Sequence, residues 1–141
     1  MNMRQQDIAF GLAEKAHTGQ FRRDGTTPYF DHVRDVARIA QMRGGDDKVI
    51  AAALLHDVME DCNVTESELL EAGICQEVVD AVKALTLDGD IPYHEKIKAL
   101  SSNPIARIVK IADNLSNLSD EPTDRQILKY TKSLQILLSA P

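Results

Sequence analysis

Apolar residues recur with the helical period in nearly every patterned stretch of this 141-residue chain, and strict alternation of apolar and polar residues is absent. The first such stretch places Ile8, Leu12 and Ala16 on one stripe of a helix. An apolar stripe has to be buried against another element, and here the other elements are also helices. We therefore predict an all-α fold.

Local signals divide the chain into helices joined by polar loops. Asn103 followed by Pro104 is typical of a helix start, and Thr65 with Glu68 has the spacing of a capping box. The segments Thr18–Phe30 and Asp88–Pro92 contain glycine and proline and are predicted to be loops. The predicted helices are Gln5–His17, Asp31–Met42, Asp46–Glu60, a short helix from Thr65, Gln76–Leu85, Tyr93–Leu100, one from Pro104 along Ile105, Ile108, Ala112 and Leu115, and one from Thr123 and Gln126 that holds Ile127, Leu134 and Leu138.

The composition limits the partners of the chain. The net charge of -6 gives no electrostatic basis for binding nucleic acid. The N-terminus lacks the apolar stretch of a signal peptide, and no run reaches membrane-spanning length. Cys62 and Cys75 match no zinc motif in their spacing. We expect one domain over residues 1–141 in the cytoplasm, with no nucleic-acid or membrane partner. The sequence leaves the oligomeric state open.

The apolar run Ala52–Leu55 ends in His56 and Asp57, and Glu60 and Asp61 follow one helical turn later. An adjacent histidine nitrogen and aspartate oxygen can converge on one divalent metal. Carboxylates three and four residues further on border the same face of a helix. A helix that simply becomes polar where it leaves the core would also place charges here, but four ionisable groups together favour a metal site.

Two other segments carry ionisable groups that can face a cleft. The helix from Pro104 places Lys110, Asp113 and Asn117 on one face, since three and four positions separate them. The apolar neighbours of Asp113 indicate a partly buried carboxylate, which needs either an ion-pair partner or a metal. That helix alone leaves both interpretations open. His32 follows a loop directly, where a lone histidine is more often a helix cap or a satisfied surface group than a metal ligand.

Taken together, these segments resemble the hydrolase domain of the RelA/SpoT family, the HD-domain alarmone hydrolases that also occur as small stand-alone enzymes. The resemblance covers the chain from about Ala9 to Leu118 in the family's order. The central block is AALLHDVMED at residues 52–61, and the flanking blocks are AHTGQFRRDG at 16–25, PYFDH at 28–32 and KIADNLSNL at 110–118. The central block is the most specific of these. The implied fold is a single HD-domain helical bundle.

The resemblance also implies the roles of individual residues. The implied metal ligands are His32, His56, Asp57 and Asp113, and Mn²⁺ is the usual metal. The implied catalytic pair is Glu60 and Asp61. The implied substrate contacts are Arg22, Arg23 and Asn117, to which we add Lys110. The expected partner is a small-molecule guanine nucleotide, and the expected reaction removes pyrophosphate from the ribose 3′ position of guanosine tetra- or pentaphosphate.

Several positions depart from the family's pattern. Val33 stands where the family usually has proline, and Thr26 with Thr27 lengthens the loop before Tyr29 by one residue. Asn114 and Ser116 replace larger, commonly basic residues. None of these is an expected ligand, so they bear on nucleotide specificity rather than on the metal.

Two alternatives to alarmone hydrolysis stay open. One is an HD-type phosphohydrolase that acts on another nucleotide or on a phosphorylated metabolite. The other is a nucleotide-binding module without turnover. The presence of Glu60 and Asp61 beside the expected ligands argues against a pure binding module, which has no need of a general base.

Overall fold

The computed structural model of the protein describes residues 3–86 and 89–140, so Asp88 of the predicted loop lies outside the described residues. Within these ranges the secondary structure is helical apart from an isolated bridge between Phe21 and Pro28, which confirms the predicted all-α fold. The helices are α1 (Gln5–Ala16), α2 (Tyr29–Met42), α3 (Asp47–Leu55), α4 (Val58–Asp61), α5 (Glu66–Glu71), α6 (Gln76–Leu85), α7 (Tyr93–Leu100), α8 (Pro104–Leu118) and α9 (Asp124–Ser139).

Helix α3 forms the centre of the core. Every residue from Val49 to Leu55 is buried, so this helix is apolar all round rather than on one stripe. Helices α1, α2, α6 and α8 pack around it, and α9 packs on the outer side of α8 and against α7. The Ala51, Ala52 and Ala53 side chains are small enough to let the surrounding helices approach closely.

The predicted helix Asp46–Glu60 is wrong in one respect, because the structure divides it into α3 and α4 at His56 and Asp57. The imidazole Nδ1 of His56 lies 2.6 Å from the carbonyl oxygen of Ala53. In a continuous helix that carbonyl would accept a bond from the Asp57 N–H. The side-chain bond takes its place, and the chain turns at Asp57, where φ is -109° and ψ is -3°.

The predicted start of α2 is also two residues late, since the helix begins at Tyr29 rather than Asp31. Pro28, with φ of -56° and ψ of 134°, is the residue that precedes the helix. A proline already has the φ that a helix start requires. His32 therefore lies one turn inside α2 instead of at its start, and its side chain is buried.

Helices α8 and α9 are joined by a buried polar contact. The Asn114 side-chain amide donates to the Ser133 hydroxyl at 2.8 Å, and both residues are fully buried. Ser133 and Leu137, one turn apart, form the buried positions of α9. Ile127, Leu134 and Leu138 lie on α9 as predicted, and of these Ile127 and Leu138 are exposed.

The predicted start of α8 is confirmed by its N-terminal contacts. Asn103 Oδ1 accepts bonds from the backbone N–H groups of Ile105 and Ala106 at 3.1 and 2.9 Å. Thr65 forms the predicted capping box with Glu68, and Thr123 forms a second one with Gln126. Among the described residues, no helix combines the length and apolar character needed to cross a membrane.

Helix α1 is capped by a residue from a different helix. Its own preceding residue, Arg4, supplies no side-chain cap. Instead, the Asp47 carboxylate accepts bonds from the backbone N–H groups of Gln5 and Gln6 at 2.9 and 3.0 Å. Burial tends to raise the pKa of Asp47, but these bonds outweigh burial and hold it below its ordinary value. Asp47 thus anchors the start of α1 to the start of α3.

Asp47→Ala should lower the free energy of unfolding by about 1 kcal/mol, as loss of a helix cap does. Since the folded-state pKa is depressed, the stabilisation is complete above the unfolded value of about 4 and is lost as the pH falls through the folded-state pKa. Urea denaturation should therefore show a smaller difference from wild type in acid than at neutral pH. Asp90→Ala, which removes an exposed loop carboxylate, is the control. An equal decrease in the free energy of unfolding in both variants would contradict the capping role of Asp47.

Candidate metal centre

Three of the four expected ligands form a compact buried group. His32 comes from α2, His56 follows the end of α3, and Asp113 comes from the middle of α8. One potential ligand atom from each of the three lies within 4.8 Å of the other two. The exposed fractions are 7%, 3% and 7%, respectively. Packing of α2, α3 and α8 against one another therefore brings together residues that are 81 positions apart in sequence.

Asp57, the fourth expected ligand, lies beside this group. Its Oδ2 is 2.9 Å from His56 Nε2 and accepts a hydrogen bond from the Tyr29 hydroxyl. Burial and the Asp57 charge raise the pKa of Tyr29, so the phenol keeps its proton and remains a donor.

The proton positions on His56 can be read from its neighbours. A carbonyl oxygen can only accept, so the Nδ1 that contacts Ala53 must carry the proton. Nε2 is then the ring nitrogen that faces Asp57 Oδ2, at 2.9 Å, and Asp113 Oδ1, at 3.6 Å, and without a proton it would offer a lone pair to a metal ion. This nitrogen is fully buried and makes no hydrogen bond of acceptable geometry.

Acceptor atoms packed this closely repel one another unless positive charge lies among them. Burial lowers the pKa of His56, but the carboxylates of Asp57 and Asp113 outweigh burial and raise it well above its ordinary value. The same negative field that holds a proton on the ring favours a divalent cation in its place. Two imidazoles and two carboxylates are a mixed nitrogen and oxygen set that suits Mn²⁺, Fe²⁺ or Zn²⁺, so the residues present fit a metal ion.

Asp113 has its two oxygens directed to different partners. Oδ1 lies 3.1 Å from His32 Nε2 and accepts from the Asn117 amide at 3.3 Å, while Oδ2 accepts from the Lys110 ammonium at 3.0 Å. Burial tends to raise the pKa of Asp113, but Lys110 and the two histidines hold it well below its ordinary value. Asp113 is therefore both ion-paired and directed at the candidate metal position, so the two interpretations left open by the sequence are compatible.

Lys110 and Asn117, two of the expected substrate contacts, are thus held by Asp113. Burial lowers the pKa of Lys110, and the Asp113 charge outweighs this and raises it. The ammonium also lies 5.9 Å from the centre of the Tyr93 ring. Lys110 therefore carries a fixed positive charge directly behind the candidate metal position.

Glu60 and Asp61, the expected catalytic pair, lie on α4 and are exposed. Neither residue belongs to the buried group of His32, His56 and Asp113. Partial burial and the nearby Asp57 charge raise the pKa of Asp61, whereas His17 and His56 lower it to a smaller extent. A carboxylate with a raised pKa is a better proton acceptor than an ordinary one.

Arg22 and Arg23, the other expected substrate contacts, lie on the loop before α2, and of the two Arg22 contacts residues of the site. Arg22 is 2.7 Å from the Asp120 carboxylate and 3.5 Å from the Asn117 amide oxygen, and its guanidinium carbon lies 5.8 Å from the Tyr29 ring centre. Arg23 is exposed, and its guanidinium lies 3.5 Å from the Gln126 side-chain oxygen.

The positions that depart from the family's pattern have structural roles. Val33 is fully buried in the core, and Asn114 bonds Ser133. Ser116 lies 3.0 Å from the Nδ1 of His32. In the lengthened loop, the backbone N–H groups of Thr26 and Thr27 both donate to the Asp24 carboxylate at 2.9 Å.

Several residues of the site were missed by the sequence analysis. Tyr29 was noted only as part of a motif, although it bonds Asp57, and Ser116 was noted only as a departure. Lys129 on α9 has its ammonium 4.2 Å from the Tyr93 ring centre and lies close enough to Lys110 to sense its charge. Ser116 is three residues after Asp113, so helical spacing would have identified it, whereas Lys129 carries no such signal.

The chain is similar in sequence and in structure to known proteins. Residues 9–140 match the HD domain family. The guanosine-3′,5′-bis(diphosphate) 3′-pyrophosphohydrolase MESH1 of Xenopus tropicalis is 39% identical over 120 residues, which cover 79% of this chain and 66% of that protein. The human MESH1 protein is 38% identical over the same shares of the two chains. The chain thus spans slightly less than two thirds of the length of these relatives.

More distantly related proteins also match this chain, and one of them is named for the same activity as the MESH1 proteins. The guanosine-3′,5′-bis(diphosphate) 3′-pyrophosphohydrolase of Haemophilus influenzae is 33% identical over 117 residues, or 76% of this chain and 17% of that protein. A solved structure described as "A metazoan ortholog of SpoT hydrolyzes ppGpp and plays a role in starvation responses" superposes with a TM-score of 0.81. It is 26% identical, and the match covers 99% of this chain and 89% of that chain.

His56→Ala should weaken Mn²⁺ binding by more than the roughly 10–100-fold that loss of an outer partner of a metal site costs. The reason is that a buried ligand nitrogen would disappear and leave two neighbouring carboxylates unbalanced. Calorimetric titration of metal-stripped protein measures the affinity. His94→Ala is the matched control, since His94 lies outside the cluster, with its ring against Tyr93 and its Nε2 3.4 Å from the Lys129 carbonyl oxygen. Unchanged affinity in His56→Ala would refute the metal assignment.

Proposed function

This chain belongs to the HD domain family, and we propose that it is a metal-dependent phosphohydrolase that acts on guanosine 3′,5′-bis(diphosphate). The reaction is hydrolysis of the 3′ phosphoester: water adds to phosphorus, the bond between phosphorus and the ribose 3′ oxygen breaks, and that oxygen gains a proton. The products are guanosine 5′-diphosphate and pyrophosphate. Such a nucleotide substrate favours a cytoplasmic location.

The observation that carries the proposal is the convergence of His32, His56 and Asp113 on one buried point, with the Asp57 carboxylate 2.9 Å from His56 Nε2. We propose that these four residues hold a divalent metal and that the metal is Mn²⁺. A bound metal ion of this kind supplies Lewis acidity, which polarises a phosphoryl group and lowers the pKa of water. Tyr29 orients the Asp57 carboxylate through its hydroxyl.

Glu60 and Asp61 are proposed to receive the proton of the attacking water. Asp61 suits this role because its pKa is raised and its carboxylate is exposed at the rim of the ligand group. Its proximity to Asp57 means that a proton on Asp61 relieves repulsion between the two carboxylates. The proton can then return to the departing 3′ oxygen.

Positive charge around the site supports an anionic substrate. Burial and the neighbouring Lys110 and Arg125 lower the pKa of Lys129, so cations crowd one another here even though the chain carries a net charge of -6. Arg22 and Arg23 approach the same region from the loop side, since both affect Tyr130 electrostatically. A phosphate group that enters between these cations relieves their mutual repulsion.

The proposal is tested by the release of pyrophosphate from guanosine 3′,5′-bis(diphosphate) in the presence of Mn²⁺. A panel of other nucleotides and phosphorylated metabolites should be assayed in parallel, each with Mn²⁺, Fe²⁺, Zn²⁺ and Mg²⁺. Release from the alarmone that depends on metal supports the proposal. Turnover of another phosphate ester with none of the alarmone would favour the broader HD-type phosphohydrolase, and nucleotide binding without any turnover would favour a binding module.

Glu60→Gln and Asp61→Asn should each reduce kcat by about a hundredfold or more if the carboxylate moves the proton. Metal affinity should stay near the wild-type value, because neither residue belongs to the buried ligand group. Glu71→Gln, on α5 and exposed, is the control for a single lost carboxylate. Near-normal kcat in both site variants would show that the pair is not the proton acceptor.

Arg22→Ala and Arg23→Ala should raise KM for the guanine nucleotide several-fold more than they lower kcat, as loss of uniform binding does. A guanidinium can stack on a purine and also attract phosphate, so Arg22→Lys should restore only part of the affinity. Arg43→Ala, at the far end of α2, serves as the control for loss of one cation. Unaltered KM in both loop variants would contradict a nucleotide contact.

A further inference from the structure

The second ring nitrogen of His32 is held by a chain of two residues outside the four-ligand group. His32 Nδ1 lies 3.0 Å from the Ser116 hydroxyl oxygen, and the Ser116 hydroxyl donates to Asp35 Oδ2 at 2.8 Å. His32 and Ser116 are buried, and Asp35 is half-buried. The chain therefore links α2 to α8 directly behind the candidate metal position.

The hydroxyl of Ser116 has only one proton, and that proton is directed to Asp35. The same oxygen can therefore only accept from His32, so His32 Nδ1 must carry a proton. Nε2 is then the nitrogen left to face Asp113 Oδ1, at 3.1 Å, and it is the one that a metal ion would bind in place of a proton. The bond from Ser116 to Asp35 thus fixes the donor and the acceptor in the bond between His32 and Ser116.

Asp35 is fixed as the acceptor at the end of the chain. Arg38, one turn later on α2, donates to Asp35 Oδ1 through two guanidinium nitrogens at 2.7 and 3.2 Å. The other oxygen, Oδ2, is left to Ser116. Burial raises the pKa of Asp35, but the bonds from Arg38 and Ser116 outweigh burial and lower it.

The two imidazoles are thus oriented by different means. His56 is fixed by the backbone carbonyl of Ala53, which any residue at position 53 would supply. His32 is fixed by two side chains, each of which lies three residues after a proposed ligand: Asp35 after His32, and Ser116 after Asp113. Residues three apart on a helix share a face. Ser116 can therefore reach the His32 ring, and Asp35 can reach the Ser116 hydroxyl.

We infer that Ser116 and Asp35 are positioning residues that form a carboxylate–hydroxyl–imidazole relay and set the tautomer and orientation of His32 for metal binding. This inference rests on the proposed metal site. Outer partners of this type orient metal-binding histidines and increase their basicity. Removal of either residue takes away the acceptor that holds the proton on Nδ1, so the ring proton favours Nε2, where it bonds Asp113 Oδ1 and occupies the position that a metal ion requires.

The first measurement is made on metal-free protein and needs no substrate. Nitrogen-15 NMR of the ring nitrogens should show a protonated Nδ1 for His32 in the wild type. Ser116→Ala and Asp35→Ala should shift the signals towards a ring that lacks the Nδ1 proton. A wild-type ring without a proton on Nδ1, or an Nδ1 signal unchanged in both variants, would overturn the inference.

The second measurement is Mn²⁺ affinity. Ser116→Ala should bind Mn²⁺ about 10–100-fold more weakly than wild type. Ser116→Thr keeps the hydroxyl, and its added methyl group can enter the cleft of about 240 Å³ that Ser116 lines, so it should restore the affinity. The same affinity in Ser116→Ala and wild type, at equal thermal stability, would also overturn the inference.

Matched controls separate the relay from general charge effects. Asp31→Ala removes an exposed carboxylate from the same helix and cleft, and Arg34→Gln removes an exposed cation from the same helix. Both should retain the wild-type tautomer and Mn²⁺ affinity, and losses equal to those of Ser116→Ala would count against the relay. If Ser116→Ala changes both properties while the wild type hydrolyses no nucleotide, the inference stands and the proposed substrate fails.

Discussion

The buried Asp113 carboxylate is the constraint on which the rest of the structure depends. A charge at this depth is stable only when other groups compensate for its lost hydration. Lys110 supplies an ion pair to one oxygen, and His32 and Asn117 lie against the other. Since these partners come from α2 and α8, the charge of Asp113 is compensated only when the two helices pack as they do here, so helix packing and site geometry depend on each other. The core around α3 serves as the rigid support.

The helical class and most helix ends followed from sequence because the signals were local. Asn103 with Pro104 and the Thr65 capping box act within four residues, and the structure confirms both. The division between α3 and α4 did not follow, because it depends on a side-chain bond from His56 to its own helix. The buried face of α9 was also missed, because the partner that draws Ser133 inward is Asn114 on another helix.

For the site, the sequence identified the residues that can bind a metal but not those that orient them. His32, His56 and Asp113 do meet in a compact group, with Asp57 beside it, and assignment of their roles remains a prediction. Tyr29, Ser116 and Asp35 are ordinary polar residues whose importance depends on a neighbour from another element. Ring tautomers and hydrogen-bond directions have no signature in sequence. They emerge only when the atoms that can accept and the atoms that can donate are counted together.

The short helix α4 has a consequence for motion at the site. It has four residues, and Asp57, which precedes it, provides no side-chain cap because its carboxylate is committed to Tyr29 and His56. A helix of one turn without a cap has little cooperative stability of its own. Amide hydrogen exchange in α4 should therefore report local opening, at a free energy well below that of the α3 core. Glu60 and Asp61 lie on a segment that can adjust to a ligand while the buried imidazoles stay in place.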